Sequence, residues 1–145
     1  MYDPTLEIAV RPFADRDYPR LPELFAMLEP DLPVATVIAR IPPMLAQGWR
    51  CVGAYAHERL IGMAGFGQRV HLFSGPVLYV ENVAILPDWQ HHGVGARLMA
   101  WLEIHARKSG CLKVTLDAYA VNESARGFYQ RLGYDPRGVH YVRDL

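Results

Sequence analysis

Gly93 and Gly95, set in Gln90-His91-His92-Gly93-Val94-Gly95, are the residues whose type and spacing first suggest chemistry. Lacking Cβ atoms, they let the backbone take unusual φ/ψ values and approach a ligand closely. The helix that opens here also leaves its first N–H groups without intrahelical acceptors. With roughly half a unit of positive charge from the helix dipole, such donors suit phosphate or pyrophosphate. Neither of the two best-known phosphate loops is present, because the dinucleotide fingerprint needs a third glycine and the P-loop needs Gly-Lys followed by Ser or Thr. A Gly-x-Gly by itself also suits a tight turn needed only for packing. Upstream, Glu81 places a carboxylate inside the otherwise apolar run Val77 to Leu86. Such a group must be neutralised, paired with a backbone amide or an arginine, or used.

Two elements must position these groups. Val77 to Leu86 is apolar and β-branched apart from Glu81 and Asn82, which suits a largely buried central strand stopped by Pro87 and Asp88. From Val94 the apolar positions take helical spacing, with Val94, Leu98, Trp101, Leu102 and His105 along one side. The period thus shifts from 2 to about 3.6 across the glycines.

Gln90-x-x-Gly93-x-Gly95, directly after a Val83-Ala84-Ile85 strand end and opening an amphipathic helix, resembles the acyl-CoA pyrophosphate loop of the GNAT N-acetyltransferase superfamily. A second signature agrees: Asn122-x-x-Ala125-x-x-Phe128-Tyr129-x-x-x-Gly133-Tyr134 resembles that family's C-terminal helix, one strand further on. The resemblance covers nearly all of the chain. It implies an α/β (α+β) GNAT fold, with a mixed, strongly twisted sheet, helices on both faces and a splayed central strand pair. It also implies acetyl-CoA as cosubstrate and acetyl transfer to a primary amine. One departure is His92, preceded by His91, where the family commonly has Arg or another basic residue. Imidazole attracts phosphate less than guanidinium does, so CoA binding is expected to strengthen at acidic pH as His92 charges. Adjacent histidines diverge, and no further ligand cluster is evident, so no metal is expected.

Acyl transfer from CoA to an amine requires that the thioester be held, the amine deprotonated, the tetrahedral oxyanion stabilised and the departing thiolate protonated. The pyrophosphate would sit on the N–H groups of His92, Gly93, Val94, Gly95 and Ala96, with Gln90 and His91 at the loop entrance. The pantetheine arm, an extended diamide, can pair with the backbone of Val83 and Ile85 as another strand would. A gap is then expected between Val83 to Ile85 and Thr115 to Ala118, with an N–H near Val83 or Ala84 facing the thioester oxygen. An alkylamine of pKa about 10.4 is neutral in about one molecule per few thousand at pH 7, a penalty of about 4–5 kcal/mol, so a general base helps. Glu81 is the first choice, with Tyr79 two residues earlier on the same face as the alternative. His71, His140 and Asp117 are weaker candidates. By the resemblance, Tyr129 is the general acid for the thiolate, and a phenol near pKa 10 suits a thiolate near 8.5. Phe128, about 100° round the helix, can pack in the core while Tyr129 faces the cleft. Asn122 caps the helix and can contact the cofactor, and Ala125 is a small residue beside it.

The favoured function is therefore an N-acetyltransferase acting on the primary amine of a small molecule. The alternatives are a protein N-terminal or lysine acetyltransferase, and a non-catalytic acyl-CoA-binding sensor of the same fold.

Composition sets the outer bounds. The 145 residues suit one domain, 1–145, with 15 basic and 15 acidic residues and no Lys/Arg run to attract nucleic acid or an anionic membrane. Apolar content of 51% without a run near 18 residues indicates a filled core and no membrane span. The start, Met1-Tyr2-Asp3-Pro4, lacks the features of a signal peptide, and the only two cysteines, Cys51 and Cys111, read as reduced buried thiols of a cytoplasmic protein. A homodimer through a sheet edge or the final strand is left open.

Read in order, Leu6 to Arg11 alternates as a first strand, and Asp15-Arg16-Asp17 can cap a helix through about Leu28, with a start later than Asp17 if Pro19 and Pro22 are to lie near its first turn. The proline-rich stretch 29–47 is expected to hold a short helix around Thr36 to Arg40 and a turn near Met44. Trp49 to His57 and Arg59 to Gln68 form a meander, and Gly62, Gly65 and Gly67 inside a strand predict a bulge or a close approach. After the Gly93 to Lys108 helix come a strand at Leu112 to Ala118, a helix from Asn122 to Leu132 and a last strand at Val139 to Arg143.

Overall fold

Ile8–Pro12 forms β1 in the computed structural model, which describes residues 6–145. Pro12 cannot donate to a ladder, and it is accommodated because β1 is the edge strand. β1 pairs antiparallel with β2 (Arg50–Ala56), Ile8 facing Ala56 and Pro12 facing Val52. β2 turns through His57 and Glu58 into β3 (Arg59–His71), and β3 turns into β4 (Gly75–Ile85), each pair antiparallel. β5 (Lys113–Leu116) completes a mixed five-stranded sheet in the order β1-β2-β3-β4-β5. The Leu112 N–H donates to the Pro76 carbonyl at 2.8 Å, so β5 enters beside the start of β4. With four residues against eleven, it is too short to run alongside Val83 to Ile85. By packing, the backbone forms two compact units, Met1–Thr115 and Leu116–Leu145, and each is described by itself.

Helices cover both faces of the sheet in the first unit. A Cβ on Gly62 would lie 3.3 Å from Val94, at the start of helix α3 (Val94–Lys108), so that helix packs on this face. Gly65, of opposite parity, faces Trp49, which follows helix α2 (Val34–Ala46). The chain reaches α2 through a 3-10 helix, Asp15–Arg20, and α1 (Leu21–Leu28), which has Pro22 in its first turn as the prolines require. α2 differs from the expected short helix and separate turn: it runs unbroken through Pro42 and Pro43. The carbonyls that lose donors, on Ile38 and Ala39, belong to exposed residues where water can replace the bonds. Its inner face is Val37, Ile41, Met44 and Leu45.

In α3 the buried residues are Val94, Leu98, Met99, Leu102 and Ala106. The expected stripe is therefore rotated: Trp101 and His105 are half-buried on its flank, stacked at 4.9 Å, with Phe66 edge-on to His105 at 5.4 Å. Cys51 is buried and Cys111 is only half-buried, both as free thiols.

In the second unit, α4 (Glu123–Arg131) is the last regular element. The strand expected at Val139 to Arg143 is absent among the described residues, so it offers no edge to a second copy. β-propensity describes fit to a paired, half-buried surface, and Val139, Tyr141 and Val142 are 72–90% exposed just after Pro136 and Gly138. No helix among the described residues is long and apolar enough to cross a membrane.

Candidate active site

The loop between β4 and α3 is built from a fixed turn and two left-handed residues. Past Ile85, a 3-10 helix at Pro87–Trp89 buries Trp89, and Gln90 Nε2 donates back to the Ile85 carbonyl at 3.1 Å. Gln90 thus ties the loop to the end of β4. His91 at φ +64° and Gly93 at φ +80° then reverse the chain, and α3 starts at Val94 with no side-chain cap. The Arg97 N–H bonds the Gly93 carbonyl at 3.1 Å, so the N–H groups of Val94, Gly95 and Ala96 precede the intrahelical ladder. A Cβ on Gly93 would meet nothing within 4 Å, so the space beside Gly93 is open. His91 and His92 are exposed beside it. Free donors, a helix dipole and open space beside Gly93 are features that suit an anion. Val83, Ala84 and Ile85 lead into it along β4, Ala84 buried and the other two half-buried.

Glu81 is handled differently from the expectation of a carboxylate within a buried strand. Gly65 pairs with Asn82 and Phe66 with Val80, which leaves Glu81 as the extra residue of a β-bulge. The bulge removes it from the ladder, and Arg69 Nη2 meets its Oε1 at 2.7 Å, the side chains being 49% and 30% exposed. At that exposure the pair positions the carboxylate more than it stabilises the fold. The Arg69 guanidinium also lies 4.3 Å over the Tyr79 ring, so Tyr79 and Glu81 share one arginine. His71, at the far end of β3, is exposed.

Beside Glu81 is a cavity of about 320 Å³ lined by Met44, Gln47, Trp49, Gly67, Gln68 and Arg69 as well as Glu81. Trp49 and Asn82 set its wall: Trp49 Nε1 donates to Asn82 Oδ1 at 3.1 Å. Gly65 is required at this crossing, because a Cβ there would fall on Trp49 Nε1 and 2.7 Å from Asn82 Oδ1. Sequence reasoning noticed Gly65 and Asn82 but assigned neither this role. It missed Arg69, Trp49 and Met44, for which only the glycine in mid-strand was a signal.

In the second unit, Asn122 Oδ1 accepts from the Ala125 N–H at 3.0 Å, the expected cap of α4. Tyr129 follows from that helix, half-buried, and burial pushes its phenol above the ordinary value near 10. It therefore keeps its proton through neutral pH. Phe128 does not separate from it into a core: both are half-buried, their rings 5.0 Å apart and edge to face, with Tyr134 at 6.0 Å from Tyr129. His140 Nδ1 and Asp117 Oδ2 lie 3.4 Å apart, so these two candidates engage each other at the surface.

Comparison with known proteins agrees with this geometry. The model of the acetyltransferase (GNAT) family matches residues 11–134. Among curated proteins, the chain is 30% identical over 61 residues to an aminoglycoside N(6')-acetyltransferase type 1 of Acinetobacter genomosp. 13, covering 42% of each. It is 28% identical over 74 residues to that of Acinetobacter baumannii, covering 50% of this chain and 51% of the relative. These matches span about half the length of the curated relatives. Among solved structures, the aminoglycoside N-acetyltransferase AAC(6')-Iy in complex with CoA superposes with a TM-score of 0.83 at 21% identity, over 99% of both chains. An aminoglycoside acetyltransferase from an uncultured soil metagenomic sample, in complex with sisomicin, gives 0.76 at 18% identity, over 95% of this chain and 96% of that one. With the fold, the glycine loop and the family model in agreement, the chain belongs to the acetyltransferase (GNAT) family.

Proposed function

We propose that this protein is an acetyl-CoA-dependent N-acetyltransferase acting on the primary amine of a small molecule. The observation that carries the reading is the uncapped start of α3 behind Gly93, open to an anion at the end of β4. Acetyl-CoA would supply an activated acyl carbon for direct attack by the amine. Val94, Gly95 and Ala96 would hold its pyrophosphate through their N–H groups, with Gln90 keeping the loop in register. The backbone of Val83 and Ile85 would guide the pantetheine arm, and an N–H near Val83 or Ala84 would stabilise the oxyanion. Glu81 would accept the ammonium proton, directly or through water. Tyr129, still protonated at neutral pH, would give a proton to the departing thiolate. Asn122 would contact the cofactor as well as cap α4, and Ala125 would leave room for it.

The cavity beside Glu81 favours an enzyme over a non-catalytic acyl-CoA sensor, since a sensor needs no second chamber. Its volume of about 320 Å³ is at the lower end of small-molecule sites, which favours a small acceptor over a protein N-terminus or lysine. The test is thiol release from acetyl-CoA with amines, polyamines, amino acids, aminoglycosides and short peptides, using wild type beside Tyr129→Phe and Glu81→Gln. Aminoglycosides belong in the panel because the relatives are named for them. Turnover that falls in Tyr129→Phe while CoA still binds supports the reading, and a chain that binds no acetyl-CoA refutes it.

A further inference from the structure

β3 has 13 residues and β2 has 7, so part of β3 has a neighbour on one side only. The last rung between the two joins Arg50 to Phe66, whereas the pairing of β3 with β4 continues as far as His71 and Gly75. Among the described residues, Gly67 to His71 therefore form an open edge, where alternate residues direct N–H and C=O groups away from the sheet. Folded proteins block such edges with lysine, proline or a cover, because an open edge templates pairing with another chain. From 67 to 71 there is neither lysine nor proline. The one arginine, Arg69, meets Glu81 at 2.7 Å, so it comes to the edge with its charge balanced. The tip of the hairpin is apolar and uncovered: Val70, Leu72 and Phe73 are 81%, 92% and 96% exposed.

At the other end of the same edge is a cavity of about 410 Å³. Arg50, Phe66, Gly67 and Gln68, which mark the place where β2 stops, line it, and Tyr18 and Trp101 add aromatic walls. Phe66 lies 5.9 Å from Trp101, which stacks on His105. One edge thus carries an apolar knob at one end and an apolar hole at the other. Opposite residues of an antiparallel ladder share a face, so a two-fold axis between identical strands must pass a residue that faces its own copy. Only Arg69 at that axis pairs all five edge residues, with Gly67 facing His71 and Gln68 facing Val70. Beyond His71 the second copy's chain turns, which brings its Leu72 and Phe73 to the mouth of the cavity beside Gly67 and Phe66.

We propose that this edge is a surface for a second copy of the chain. Two copies pair Gly67 to His71 antiparallel across a two-fold axis at Arg69, and each seats the Leu72–Phe73 tip of its β3–β4 hairpin in the aromatic cavity of the other. The interface is self-complementary, as a closed dimer requires, and it covers the open edge and the apolar tip together.

The test is sedimentation velocity of the full chain from about 1 to 100 μM, with wild type beside the double variant Leu72→Asp/Phe73→Asp. Both positions are exposed, so the single chain loses no packing, and circular dichroism checks its fold. The expected result is a wild-type dimer whose Kd rises at least about a hundredfold in the variant, since two apolar side chains per copy lose their burial. Wild type that stays monomeric throughout, or a dimer that the variant leaves unchanged, overturns the proposal. A second measurement reads the register without the tip variant: Gln68→Cys and Val70→Cys are oxidised separately and as an equimolar mixture, with wild type controlling for Cys51 and Cys111. The mixture should give a covalent dimer by intact mass and each variant alone should not, because residue 68 faces residue 70 of the other copy. A dimer without that cross-link, or one cross-linked equally by a single variant, refutes the edge pairing.

Discussion

Replacing Gly93 by alanine separates two things that this glycine is argued to do. Its φ of +80° is a conformation that L-residues adopt with strain, at a cost of about 1–2 kcal/mol. No steric cost adds to this, because the new Cβ would meet nothing within 4 Å. For a chain of this size about 1–2 kcal/mol corresponds to a fall in Tm of about 3–6 °C. The methyl group would stand in the space assigned to the pyrophosphate, so CoA affinity should fall by more than the stability loss explains, about tenfold or further. Gly93→Asn provides the control. Asn tolerates the left-handed region better, so it should recover much of the Tm while still obstructing the anion. Differential scanning fluorimetry and calorimetric CoA titration on the three proteins would measure both effects. A Tm within 1 °C of wild type for Gly93→Ala would refute the backbone argument, and a CoA Kd within twofold in both variants would refute the pyrophosphate site.

Four further outcomes are expected. Gly65→Ala should cost about 1–3 kcal/mol by breaking the part-buried Trp49–Asn82 hydrogen bond, measured by urea unfolding; a cost below about 0.5 kcal/mol would contradict the crossing at that position. Glu81→Gln should lower kcat/KM about 100-fold at pH 7 and less at pH 10, where the amine loses its proton unaided, and a pH-independent loss would rule out a base. Tyr129→Phe should lower kcat by about 100-fold without weakening CoA. Because burial raises the Tyr129 phenol, the alkaline fall in wild-type kcat should lie above pH 10, and a fall centred below 10 would count against it. Burial also raises Cys51 and Tyr55, so the folded state holds protons that the unfolded chain releases. Stability from these groups is fully present below their unfolded values, near 9 and 10, and is lost as pH rises past them. Urea unfolding from pH 8 to 11 should show that decline, flattened in its lower part by Cys51→Ala.

Local chemistry explains what could be read without coordinates. The change of period at Gly93, the prolines before α1, the Asn122 cap and the hairpins at His57 and at residues 71–75 all depend on neighbours within a few residues. These features are written in adjacent residue types, because backbone sterics, missing N–H donors and capping groups act over one or two turns. The glycine at 65 likewise signalled a bulge or a close approach, and both occur there.

What only the tertiary structure decided involves partners distant in sequence. The continuity of α2 through two prolines depended on which side of the helix faced water. Among the described residues Val139 to Arg143 forms no strand and Val139, Tyr141 and Val142 stay exposed, since strand formation needs a pairing surface that local propensity does not supply. Glu81 was singled out as a carboxylate in an apolar run. That a bulge would put it outside the ladder, against Arg69 twelve residues away, follows only from the register of β3 on β4. The loop that suits an anion was therefore determined by the sequence itself, whereas the chambers beside Glu81 and Trp101 exist only because the sheet brings Trp49, Phe66 and α3 together.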